Sequence, residues 1–143
     1  MIRPADPQLS IELESDIAEV GGSFGGHIRR APVDGASNDA TFGSVRAVRV
    51  RLVMETEGRG DRDTRRIGEI EAAVDEFGMA SHPFRLPVPS DAPISYDGSL
   101  MRVLWRIEAL SDRKFSIDSK MTADVLIVPV GGIGLYSRPH PLR

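Results

Sequence analysis

Among the side chains able to do chemistry, the imidazoles are His27, His82 and His140, in three different contexts and at no metal-ligand spacing. A zinc site gathers about three or four ligands tightly, so a structural or solvated role is the plainer assignment for each. There is no cysteine, which excludes disulfides, thiolate catalysis and cysteine-based zinc sites. Asp16, Glu19, Asp112, Asp118 and Asp124 could gather at one end of a β-domain and hold calcium, which wants about six to eight oxygens from clustered loops. Only Asp61 to Asp63 reads Asp-x-Asp, which gives that idea little support. Gly131-Gly132-Ile133-Gly134 follows a strand with no helix after it, so it is not a dinucleotide loop. No nucleophile, base and electrophile can be assembled into a converging set. The chain is expected to be no enzyme and to hold no cofactor or metal.

Lys114 and Lys120 are the only lysines, and every other basic residue is arginine. That bias fits a GC-rich bacterial genome more than a chemical need. Arg49 and Arg51 fall on one face of a strand, with Arg46 opposite and Arg65 and Arg66 on the next strand. Such a cluster could bind a phosphorylated or acidic segment through forked hydrogen bonds. Glu55, Glu69 and Glu71 stand where they can neutralise it across the strands, giving a salt-laced solvated face instead. Arg59-Gly60-Asp61 spells an integrin-binding tripeptide, a coincidence in a chain this rich in arginine. The net charge of −3 argues against a general nucleic-acid grip, which needs a basic field.

Near the end of the sequence, Ile133, Leu135 and Tyr136 follow a glycine hinge and precede Ser137-Arg138-Pro139-His140-Pro141. An apolar group on such a tail either folds back over an open sheet edge or docks on something else. Ile133, Leu135, Tyr136, Arg49 and Arg51 are therefore the candidate partner-binding residues.

The elements that must position these residues are strands. Length, at 143 residues, and composition, 41% hydrophobic and 27% charged, fit one soluble globular domain with a real core. No apolar run approaches the ~20 residues of a membrane helix, and residues 1–7 lack the apolar core of a secretory signal, so a cytoplasmic location is expected. Fourteen glycines and ten prolines punctuate short segments, as in an all-β domain. Strands are expected at 10–14, through Ile11 and Leu13, and at 23–29, through Phe24 and Ile28, where Gly25-Gly26 marks a bulge or a close approach. Residues 30–43 read as a polar loop. In 45–55, Val48, Val50, Leu52 and Met54 alternate with Arg49, Arg51 and Glu55. Residues 57–64 form a hairpin tip or longer loop.

The segment 67–77 is ambiguous, because Ile67, Ile70, Val74 and Phe77 follow a helical spacing while Gly68, Ile70, Ala72 and Val74 share a face at period two. Pro83, Pro87, Pro89 and Pro93 suit an edge segment with Phe84, Leu86 and Val88 inward. A turn at 96–99 precedes a strand over 100–110 with Met101, Val103, Trp105, Ile107 and Ala109 on the core face. Phe115, Ile117, Met121, Ala123, Val125 and Ile127 line the last long strand. Turns about every ten residues between such segments read as a β-sandwich.

The stretch 83–128 resembles the arrestin-like fold family. The resemblance is carried by Pro83-Phe84-Arg85-Leu86-Pro87-Val88-Pro89, by Ala92-Pro93-Ile94-Ser95-Tyr96-Asp97-Gly98, and by Arg102-Val103-Leu104-Trp105-Arg106-Ile107-Glu108-Ala109. Asp118, followed by residues 122–128, resembles the family's closing strand. Upstream, residues 9–13, Gly21-Gly22 and Gly26-His27-Ile28 look like its opening pattern of strand, glycine turn and strand. The chain is also similar to the first domain of bacterial sporulation-control proteins, which share this sandwich. The resemblance implies that 67–77 is a strand. Proteins of both groups carry two such lobes and this sequence has room for one, so their inter-lobe cradle is not carried over, nor is any functional residue.

These observations together imply an all-β, arrestin-like, immunoglobulin-like antiparallel sandwich of about seven strands over 1–130, with a C-terminal tail at 131–143. The function this implies is that of a non-enzymatic adaptor or accessory subunit. It would bind a protein partner, or another copy of itself, through sheet edges, end loops and the tail. The alternative is a small-ligand or calcium-binding sandwich using its end loops. Neither nucleic acid nor an integral membrane segment is expected.

Overall fold

The computed structural model describes residues 9–31, 45–75, 79–113 and 119–133. Phe77, Phe115, Ile117, Asp118, Leu135, Tyr136, His140 and most of the 30–43 loop lie outside the described residues. In chain order the strands are β1 (Leu9–Leu13), β2 (Ile17–Glu19), β3 (Ser23–Arg30), β4 (Val45–Gly58), β5 (Asp61–Ala73), β6 (Ala80–Pro87), β7 (Tyr96–Asp97), β8 (Met101–Arg113) and β9 (Ser119–Val128). They form a three-stranded sheet, β1-β3-β6, and a larger one ordered β2-β9-β8-β4-β5, in which β7 also pairs with β8. Every pairing is antiparallel except that of β2 with β9. The two sheets enclose one apolar core, the sandwich the sequence pattern implies. Nine strands among the described residues exceed the expected seven or so. The short additions are β2 and β7, and β7 lies where a turn was expected.

Period-two alternation built the core. Val48, Val50 and Leu52 of β4 meet Val103, Trp105, Ile107 and Ala109 of β8, while Phe24, Ile28, Phe84 and Leu86 approach from the smaller sheet. Pro83 and Pro87 fall on β6, which pairs only with β3, so their missing donors cost no ladder bond on the open side. Met101 departs from its expected core position and is 53% exposed. It opens β8 opposite Gly58, at the tip of the β4–β5 hairpin. That tip is tighter than a loop over 57–64: β4 runs to Gly58 and β5 starts at Asp61. Arg59 and Gly60 make the turn with φ of 53° and 83°, the geometry of a type I′ hairpin.

The segment 67–77 begins as strand, since β5 extends to Ala73. Its helix-like spacing has a local cause. The β4–β5 register slips between Leu52 and Val53, so that Gly68 faces Leu52 and Arg66 faces Val53, leaving Ile67 as the extra residue. A bulge of this kind shifts the alternation by one, and Ile67, Ile70, Ala72 and Val74 all reach the core.

Of the Gly25-Gly26 pair, Gly26 is a close approach and not a bulge, because β3 pairs without a slip on either side. A Cβ on Gly26 would collide with the Glu12 carbonyl oxygen and come within 2.8 Å of Phe84 Cζ. Gly26→Ala is expected to cost about 1–2 kcal/mol by prising β1 from β3. Hydrogen exchange checks this, with protection lost first at Glu12 and Glu14, whose amides face β3.

Candidate functional site

The outward face of the larger sheet is a lattice of paired charges. Arg49 Nη2 donates to Asp112 Oδ2 at 3.0 Å and Nε to Glu71 Oε2 at 3.1 Å. Arg46 Nη2 reaches Asp112 Oδ1 at 3.3 Å. Arg46 was expected on the opposite face from Arg49. The β4–β8 register slips between Val45 and Ala47, making Arg46 an extra residue, and one carboxylate serves both arginines. Arg51 is only 8% exposed and lies between Glu69 on β5 and Glu108 on β8 in the register, with Nε 3.5 Å from Glu69 Oε2. That Nε makes no hydrogen bond.

Toward the other end of the sheet, Glu108 accepts from Arg106 Nε at 2.8 Å and Lys120 Nζ at 3.5 Å. Glu55 takes Arg106 Nη1 at 3.3 Å, and Glu57 bridges Arg62 and Arg102 at 2.6 and 3.2 Å. Burial alone would raise the Glu108 pKa; the Arg106 hydrogen bond and the Lys120 charge outweigh it and hold the carboxyl below its usual range. For Arg106, burial works against the charge, and Glu108 and Glu55 overcome it.

Among the described residues this lattice opens beside β7. The segment 95–97 wedges between β8 and the far half of β9, with Ser95 N donating to Ile127 O and Ile127 N to Ser95 Oγ, both at 2.8 Å. Below the wedge β9 pairs with β8; above it, from Leu126, β9 pairs with β2. A groove of about 340 Å³ lies at this fork, walled by Tyr96, Leu104 and Leu126 with Asp97, Arg102 and Asp124 around them. Trp105 forms part of its floor, its Nε1 donating to Pro93 O at 3.0 Å. Beside the groove, at the same end of the sandwich, Leu100 is 87% exposed and Met101 stands next to it. They line a second hollow against the Arg59-Gly60 turn.

Of the candidate residues, Arg49, Arg51 and Ile133 are among the described ones, and they fall in two places. Arg49 lies seven residues down β4 from Thr56, which is level with Val103, a separation of about 23 Å. Ile133, half-buried, follows the turn that closes β9 through a Gly132 N to Pro129 O bond. A Cβ on Gly132 would come within 3.0 Å of the Val128 side chain. Sequence reasoning missed Tyr96, Leu100, Leu104 and Leu126, since a single apolar residue on the outward face of a strand, as at Leu104 and Leu126, or in the short segment before β8 carries no periodic signal.

Asp118, one of the acidic residues weighed for calcium, lies outside the described residues, and the described ones form no ligand cluster. Asp112 is held by Arg46 and Arg49, while Asp16 and Glu19 flank the opposite end of the sheet, where Asp16 O accepts from Leu126 N. Among the described residues no group of three or more His, Cys, Asp or Glu could hold a metal ion. His27 Nε2 and Ser81 Oγ lie 2.7 Å apart on the exposed face of the smaller sheet, and Glu12 is opposite His27 in the register. No hydrogen bond between Glu12 and His27 orients the imidazole, as a nucleophile–base pair would require. The sequence reading that no Gly-x-Ser-x-Gly elbow occurs is corrected here, since Gly21-Gly22-Ser23-Phe24-Gly25 has that spacing. Ser23 instead opens β3, its Oγ accepting from Arg85 Nη1 at 2.7 Å, and the strand-to-helix turn of a true elbow is absent there. Among the described residues no helix is long and apolar enough to cross a membrane.

No protein-family model matches the chain, and no curated protein matches it. A solved structure does: Spo0M, a sporulation control protein from Bacillus subtilis, superposes with a TM-score of 0.57 at 15% identity over 84% of this chain. The match takes in 48% of the Spo0M chain, so this chain spans about half the length of that protein. At that identity the likeness speaks for fold, and it agrees with the motifs at 83–128 and the two-sheet order: the chain carries the arrestin-like β-sandwich.

Proposed function

We propose that the protein is a cytoplasmic, non-enzymatic adaptor or accessory subunit in a regulatory process, acting by holding a protein partner. The observation that carries this reading is the apolar end of the sandwich, where Tyr96 and Met101 are each 53% exposed beside Leu100. Water-exposed aromatic and aliphatic side chains clustered on a rigid end are the usual core of a protein–protein contact. The C-terminal segment 131–143, with Ile133, Leu135 and Tyr136, adds to that contact. Arg49 and Arg51 form a separate contact for an acidic segment, which has to displace Glu71 or Asp112 from Arg49.

Affinity capture from the native host tests the reading. Full-length bait is expected to return one partner in a fixed ratio. The double substitution Leu100→Asp with Met101→Asp is expected to reduce recovery at least about tenfold, the scale of losing one or two interface anchors. A bait ending at Val130 measures the tail's share. Baits that return only themselves would overturn the adaptor reading.

A further inference from the structure

The groove at the β7–β8–β9 fork has a chemistry unlike the rest of its sheet. Elsewhere the outward apolar residues are roofed: Val53 and Leu110 are buried beneath the paired charges. At the fork, Leu126 is 42% exposed and Tyr96 more so, with half-buried Leu104 between β7 and β9. The charges of the groove are unequal as well. Arg102 is committed to Asp97 and Glu57, and Arg106 to Glu55 and Glu108. Asp124 is exposed, and has no ion pair among the described residues although Arg106 lies opposite it in the register. The groove therefore offers an apolar wall and one uncompensated carboxylate.

Their spacing is fixed. Leu126 and Asp124 are two residues apart on β9, on one face, about 6.7 Å along the strand. An extended peptide has the same two-residue repeat. The groove is stiff, because Ser95 and Ile127 already satisfy one another and the Trp105 indole N–H is taken by Pro93 O. Recognition there runs through side chains and not through strand addition.

We propose that this groove is a docking site for an extended segment of a protein partner that carries a large aliphatic or aromatic residue and, two positions away, a lysine or arginine. The apolar residue lies against Leu126, Tyr96 and Leu104, and the cation meets Asp124. Phosphorylated and acidic segments are rejected, since Asp124 and Asp97 would face them. The proposal deepens the adaptor reading and rests on it for its biological sense, but its test needs only the isolated protein.

The probe is a seven-residue synthetic peptide with leucine at its third position and arginine at its fifth, titrated into the full chain and followed by NMR. Shifts are expected at Leu104, Asp124 and Leu126. Replacing the peptide's arginine by glutamate, or its leucine by alanine, is expected to weaken binding about three- to fivefold, the worth of one exposed charge pair or a partly buried side chain. Asp124→Asn abolishes the preference for arginine over glutamate and leaves the spectrum otherwise folded. Shifts centred on Arg49 and Arg51, or a preference for the glutamate peptide, would overturn the assignment. Binding seen only with a chain ending at Ile133 would give the groove to residues 134–143 of the chain itself, overturning the partner as occupant. No binding to either chain at millimolar peptide overturns the site, without touching the host-capture result.

Discussion

Trp105→Ala is expected to destabilise the protein by about 3–5 kcal/mol, the cost of an unfilled cavity at a large aromatic core position. Trp105 is the single tryptophan, packed among Val103, Ile107 and Val125 in the cluster that joins the two sheets. Its indole N–H is also the tie that holds Pro93, and so the 95–97 wedge, against β8. Urea unfolding followed by far-UV circular dichroism reads the loss, because the substitution removes the fluorescent reporter. Trp105→Phe keeps most of the volume and loses the hydrogen bond, for about 1 kcal/mol. A Trp105→Ala variant with unchanged urea midpoint would mean that the two sheets do not share this core.

The second large effect is at Glu108. It is buried in the β4–β8 lattice, accepts from Arg106 and Lys120, and stands opposite Arg51. Glu108→Leu removes the carboxylate that offsets these cations and is expected to cost about 2–3 kcal/mol, less than a fully buried pair because Lys120 is half exposed and screened. Adding Arg51→Met should restore part of the loss, since it removes one stranded charge. The pH dependence follows from the same pairing. The folded carboxyl is held below its ordinary value of 4.5, so the folded state binds the proton more weakly than the unfolded chain does. The stabilisation is therefore complete above that ordinary value and is lost as pH falls through the lower folded one. Wild-type stability should decline in that acid window, and Glu108→Leu should flatten the decline. Thermal melts in a series of acid buffers check it.

The sequence made the long strands legible wherever alternation was unbroken. Val48 to Leu52, Val103 to Ala109 and the Phe84-Leu86-Val88 run fell where period two placed them, and Trp105 is core. Slips of register hid the rest. Ile67 at its bulge imitated a helical repeat, and Arg46 at another moved to the Asp112 side of its strand. The strand β2 could not be read, because its parallel pairing with β9 joins residues more than a hundred positions apart. The groove was invisible for a related reason: Tyr96, Leu104 and Leu126 come from three elements, and only the wedge at 95–97 brings them together. Arg49 and Arg51 could be placed on one face from the sequence, whereas their pairing with Glu69, Glu71 and Asp112 depends on which strands are neighbours.

The claim that the protein holds a partner by the apolar end of its sandwich is met most directly by hydrogen–deuterium exchange of the full chain, alone and with the captured partner. Slowed exchange is predicted across 94–104 and 57–62, with β1, β3 and β6 unchanged. Protection confined to the β1-β3-β6 sheet, with 94–104 exchanging as in the free protein, would contradict it.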